Sequence, residues 1–185
     1  MRGGINLQLS LSFILRYLYL MKTLLLVRHA KSSWDDPEMK DFDRPLNDRG
    51  KKDAPEMAQR LKDKGLKIDL FVSSPAKRAK KTAKIFAEVY DVKKDDIQLV
   101  EELYHASPSA FTKAIAELAN KQDVVAVFSH NPGITEYASS LTNVRIDNMP
   151  TCSVFAVQAD VDSWSGFEEA EKSFLFFDYP KNPVN

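Results

Sequence analysis

Short apolar runs alternate along the chain with longer stretches whose apolar positions recur every three or four residues. The runs are Thr23–Val27, Leu70–Val72, Ile97–Val100, Val124–Phe128, Ser153–Val157 and Ser173–Phe177. Their length and their β-branched and aromatic content read as buried strands. The helical stretches are Gly50–Lys64 (Ala54, Met57, Ala58, Leu61), Pro75–Tyr90 (Ala79, Thr82, Ala83, Phe86, Tyr90) and Ser109–Asn120 (Phe111, Ile115, Leu118, Ala119). In the second of these, Lys77, Lys80, Lys81 and Lys84 lie off the apolar stripe and read first as a solvated face. Strands alternating with helices predict an α/β three-layer sandwich: a mainly parallel central sheet with helices on both faces. The last two runs, joined by the polar loop 160–172, predict an antiparallel edge. Pro55 predicts a kink or a broken start in the first helix, because proline lacks the amide hydrogen that the helix needs.

A length of 185 residues suits one domain, assigned here to 21–185. Residues 5–20 are apolar, but the run is short and Arg16 interrupts it, so it does not meet the requirement of about 20 residues for a membrane span. We expect residues 1–20 to be an upstream extension outside the fold, with Met21-Lys22 as its natural start. The alternative is a targeting or peripheral-membrane segment. Lys and Arg number 26, as do Asp and Glu, so no global field draws the chain to nucleic acid. Cys152 is the only cysteine, which rules out an intrachain disulfide and points to a reducing, cytoplasmic setting. The three histidines, 29, 105 and 130, do not have metal-site spacing, and neither a metal nor another cofactor is expected.

In parallel sheets ligands bind beyond the carboxyl ends of the strands. Three such ends carry polar groups. Leu24–Lys31 (LLLVRHAK) ends in Arg28 and His29. LFVSSPAKRAKKTA turns at Ser73-Ser74 and opens a helix, with Pro75 in the favoured first position and Arg78 in the first turn. VVAVFSHNPG presents Ser129, His130 and Asn131, with Asn131 expected as the N-cap and Pro132 as the helix opener. Arg28, His29, Arg78 and His130 are thus delivered to one edge. Four cationic-capable groups with no fixed acid in view imply an anionic guest.

LLLVRHAKSSW, SSPAKRAKKTA and FSHNPG, in this order and each at a strand end, resemble the histidine phosphatase (phosphoglycerate-mutase-like) superfamily, in particular its SixA-like phosphohistidine phosphatase branch. The likeness runs from about Met21 to the C-terminus. It implies that His29 is the nucleophile and that Arg28, Arg78 and His130 surround the phosphoryl oxygens. It also implies that Arg44, in DFDRPLNDRG, lies near the site mouth and touches substrate. A catalytic acid in such proteins often follows the third strand, where Glu102 is the nearest candidate and Glu101 its neighbour. Ala30 stands where many members have glycine and is equally small.

The chemistry agrees with these residue types. Phosphoryl transfer needs charge stabilisation and alignment, and two guanidinium forks can supply the charge without a metal. His29 must be neutral to attack, and its cationic neighbours favour the neutral form. An imidazole leaves more readily than an alkoxide, so a marginal acid favours phosphohistidine over phosphomonoesters. Short connections leave little material for a lid, and an open shelf suits a protein partner such as a phosphotransfer domain. The expected function is metal-independent hydrolysis of protein phosphohistidine. The alternatives are a small-molecule phosphomonoesterase on the same site and a non-catalytic phosphoprotein-binding module. The blander readings are that Arg44 braces its loop against Asp41 or Asp43, and that Ser32 and Ser33 turn the chain instead of donating to phosphate. His105 reads as a loop histidine, and Cys152 as a small buried residue without a cysteine-phosphatase pattern.

Overall fold

In the computed structural model, which describes residues 21–182, six strands form one sheet: β1 (Met21–Arg28), β2 (Leu70–Ser73), β3 (Gln98–Leu99), β4 (Val124–Ser129), β5 (Val154–Asp160) and β6 (Lys172–Asp178). Their spatial order is β3-β2-β4-β1-β5-β6. The pairs β3/β2, β2/β4 and β4/β1 are parallel, while β5 runs antiparallel to both β1 and β6. The expected antiparallel region therefore comprises two strands, with β6 at the edge. The expectation for residues 1–20 lies outside the described residues.

The two-residue period of a strand divides the core. Leu24 and Leu26 of β1, with Val125 and Val127 of β4, face one cluster. Leu25 and Val27, with Ala126 and Phe128, face the other. Both faces are apolar because both are covered, as parallel sheets require. Helices α1 (Asp48–Asp63) and α2 (Lys77–Val89) cover the second face through Met57, Leu61, Ala83 and Phe86. Helices α3 (Pro108–Ala116) and α4 (Gly133–Leu141) cover the first through Phe111, Ile115, Ile134 and Tyr137.

Several local expectations need correction. Asn47 caps α1, its Oδ1 accepting from the Gly50 amide at 2.9 Å, and the helix runs through Pro55 without a break. Five buried side chains on its inner stripe, from Asp53 to Leu61, hold the helix against the sheet. This packing outweighs the one hydrogen bond that proline removes. Helix α2 begins at Lys77, so Pro75 precedes it and does not open it. Helix α3 is shorter than its apolar spacing suggests, ending at Ala116. Helix α4 starts at Gly133, after a cis Asn131-Pro132 bond, so neither Asn131 nor Pro132 has its expected role. Asn131 instead ties down a neighbouring loop. Its Nδ2 donates to Asn148 Oδ1 at 2.7 Å and to the Met149 carbonyl at 3.3 Å.

Two close approaches fix the helices on either side of the site. A Cβ on Gly133 would lie 1.8 Å from the Ala106 carbonyl oxygen, and one on Gly50 would lie 2.2 Å from that of Lys31. At the opposite end of the sheet Lys22 is buried. Its Nζ donates to Asp123 Oδ1 at 2.7 Å and to the carbonyls of Asn120 and Gln122 at 2.6 and 3.2 Å, which satisfies a charge that would otherwise oppose folding.

Candidate active site

The strand register assembles the site. In the parallel β1/β4 ladder Arg28 is paired with Ser129. The next residue of each strand, His29 and His130, therefore leaves the sheet beside the other, with ring centroids 5.0 Å apart. Ser73 of β2 pairs with Phe128, so Ser74 emerges next to the same point. Its Oγ lies 2.9 Å from His130 Nε2. Both histidines are buried.

The His29 Nδ1–H donates to its neighbour's carbonyl, Ala30 O, at 2.8 Å. That bond fixes the tautomer and leaves the Nε2 lone pair facing the site. Arg78 Nε donates to this nitrogen at 3.2 Å. At His130, Nε2 is hydrogen-bonded to Ser74 Oγ, which also accepts from the Ala76 amide at 3.3 Å. The other ring nitrogen, His130 Nδ1, is buried and has no hydrogen-bond partner among the described residues. Arg28 donates through Nη1 to the Met149 carbonyl, while its buried Nε has no partner among the described residues. Two unpaired buried polar nitrogens, Arg28 Nε and His130 Nδ1, beside the unprotonated His29 Nε2 form a candidate cradle for an oxyanion.

Burial holds His29 well below the usual histidine value, at about 3. Arg78, Arg28 and Arg44 add to the effect, and the Ala30 carbonyl opposes it. His130 is lowered to about 2, first by burial and then by His29 and Arg78. Both rings are therefore neutral near pH 7, the state in which His29 can act as a nucleophile.

A fixed acid is present after all. Asp41 stands in a short 3-10 turn, Asp41–Asp43, inside the connection from β1 to α1. Its Oδ2 accepts from Arg78 Nη2 at 2.8 Å and from the Tyr104 hydroxyl at 2.9 Å. Its Oδ1 accepts from Arg44 Nη1 at 3.1 Å, and its backbone carbonyl accepts from Arg78 Nη1. Burial alone would raise this carboxyl, but Arg78, Tyr104 and Arg44 together lower it to about 2, so it is ionised. No strand end or helical period marks Asp41. The only sequence signal was the pairing of Arg44 with a nearby aspartate, raised above as a bland alternative. The expectation of little lid material is corrected as well, because residues 29–47 fold against the site and carry Asp41 to it.

Arg44 is buried within this loop. Its Nε donates to the Ser33 carbonyl and its Nη2 to Ser32 Oγ, both at 2.9 Å, and its guanidinium stacks on Trp34 at 3.2 Å from the ring centroid. Ser32 is thus engaged with Arg44. Glu102 is exposed in the 3-10 turn Glu101–Leu103, with no hydrogen bond or ion pair to a site residue among the described residues. The chain next to it reaches the site through Tyr104, whose ring lies 5.6 Å from that of His130. Cys152 is buried, takes a left-handed φ of 64°, and donates its amide to the Arg28 and His29 carbonyls at 3.1 Å. It closes the strand end from behind.

Comparison with known proteins agrees with this architecture. A family model described as the histidine phosphatase superfamily (branch 1) matches residues 24–105. An uncharacterized chloroplastic protein of Arabidopsis thaliana is 34% identical over 155 residues, covering 77% of this chain and 69% of that protein. A SixA-type crystal structure from Agrobacterium tumefaciens superposes with a TM-score of 0.72 at 25% identity, over 86% of this chain and 98% of that one. A protein histidine phosphatase SixA complexed with tungstate gives the same TM-score at 21% identity, over 85% and 97% of the two chains. The fold and the family match thus define the class of protein, the histidine phosphatase superfamily. This chain belongs to that superfamily, in its SixA-like branch. Membership and these neighbours support phosphatase chemistry.

Proposed function

We propose that this protein hydrolyses phosphohistidine in proteins without a metal, through a phosphohistidine intermediate on His29. The observation that carries the reading is the neutral His29 ring, held by Nδ1 on the Ala30 carbonyl with Nε2 free of any proton. In the first step the Nε2 lone pair attacks phosphorus. The new N–P bond forms as the bond to the substrate imidazole breaks, and that imidazole leaves with a proton already on its other nitrogen. Arg28, Arg78 and His130 stabilise the equatorial oxygens. In the second step water attacks phosphorus, inorganic phosphate departs and His29 is restored.

The leaving group supports phosphohistidine as the substrate. An imidazole leaves near neutral pH without a strong acid. Among the acids near the site, Asp41 is ionised, and Glu102 makes no hydrogen bond or ion pair to a site residue among the described residues. We assign the partner as a phosphohistidine-bearing protein such as a phosphotransfer domain.

The test traps the phosphoenzyme with a phosphohistidine peptide in EDTA, beside p-nitrophenyl phosphate. An acid-labile label that disappears in His29→Ala is expected, with phosphohistidine turnover the faster of the two. Activity lost in EDTA would contradict the metal-free step. Ester turnover in large excess would identify a small-molecule phosphomonoesterase. Absence of label on the wild type would leave a binding module.

A further inference from the structure

All three nitrogens of the Arg78 guanidinium are already engaged. Nε donates to His29 Nε2, Nη2 to the Asp41 carboxylate and Nη1 to the Asp41 backbone carbonyl. The first of these bonds occupies the lone pair that must attack phosphorus. The other two occupy the fork that must hold its oxygens. Asp41 is in turn kept in place by Arg44 and Tyr104, on the loop stacked through Trp34 and Phe42.

We propose that Asp41 is a built-in competitor for the phosphoryl site: its carboxylate occupies Arg78 and holds that guanidinium across His29 until a stronger anion takes its place. This inference rests on reading the site as a phosphoryl-binding one. Asp41 acts through Arg78 and is therefore a positioning residue for the resting state. A carboxylate offers one negative charge, whereas a phosphoryl dianion offers close to two and three acceptor oxygens. The dianion can displace Asp41, but carboxylates and other monoanions cannot, so the device selects phosphoryl groups from the surrounding excess of carboxylates. The same competition works after hydrolysis. Asp41 competes with inorganic phosphate for Arg78 and so weakens its binding, which limits product inhibition.

The opposite role is that Asp41 merely orients Arg78 for binding. The two roles predict opposite signs. Inorganic phosphate binding is measured by calorimetry on the full chain, for the wild type and for Asp41→Asn. Asp41→Ala serves as a second variant, since the backbone bond to Arg78 survives both changes. Competition predicts that phosphate binds at least five-fold more tightly in the variants. With p-nitrophenyl phosphate the KM and the phosphate inhibition constant should fall by a similar factor, while kcat stays level or declines. Weaker or unchanged phosphate binding overturns the inference, as does a KM that rises. Because binding is read without turnover, failure to hydrolyse phosphohistidine would leave this result standing. Failure of the variants to bind more tightly would leave the phosphatase reading standing.

Discussion

Arg78 shows why a guanidinium is used at this point and an ammonium is not. Its planar fork reaches His29 Nε2 on one side and Asp41 on the other, which a single point charge could not do. Arg78→Lys keeps the charge and loses the fork. The expected cost is about 10²-fold in kcat/KM on p-nitrophenyl phosphate, read from steady-state kinetics. The depressed histidines set a second expectation. With His29 at about 3 and His130 at about 2 in the free protein, neither ring gains a proton between pH 5 and 7. An acid limb of kcat/KM in that range would then belong to the substrate, whose second phosphate ionisation lies at about 6. The limb should move when a substrate of lower second pKa is used, and a stationary limb would return the ionisation to the protein.

At the scale of elements, the site depends on helices seated within backbone contact of their neighbours. Helix α4 can carry its N-terminus against Ala106 only because residue 133 has no side chain. Gly133→Ala should cost about 2–3 kcal/mol, from overpacking against backbone that cannot yield. Gly166→Ala is the matched control, since its added Cβ would meet only Ser163 Oγ at 3.4 Å. Urea unfolding of the two variants checks the contrast, and equal midpoints would show that the Ala106 contact yields. The strands and the apolar stripes of α1 and α2 were legible in the sequence, because buried positions repeat with the period of the backbone. The helix starts were less so. Pro75 and Asn131-Pro132 carry strong local signals; at the second, docking of Asn131 on the Met149 loop overrides them.

For the whole molecule, building an anion site from neutral buried histidines carries a stability cost in acid. A histidine lowered to about 3 in the folded state and near 6.5 when unfolded leaves the unfolded chain with the extra proton between those values. Stability therefore declines as pH falls from about 6.5 toward 3, by on the order of 1 kcal/mol per pH unit for each of His29 and His130. Asp41 adds a later loss, because its stabilisation is complete above its ordinary value near 4 and disappears as pH falls through about 2. Between pH 6 and 4 the histidines act without Asp41. Unfolding free energies over that range should slope less steeply in His130→Gln, and identical slopes would mean that this ring is not buried neutral in solution.

The sequence by itself determined the layered sheet and placed Arg28, His29, Arg78 and His130 at one edge, because three of them sit where an apolar run stops and Arg78 lies in the first turn of the helix that follows one. Only the tertiary structure decided that the two rings are neighbours, through a register that pairs Arg28 with Ser129. It alone revealed Asp41, whose contacts with Arg78 and Tyr104 span 37 and 63 residues of chain. An aperiodic loop keeps no record in its own sequence of what it will touch. That depends on the distant segments folded around it, and no local pattern encodes them.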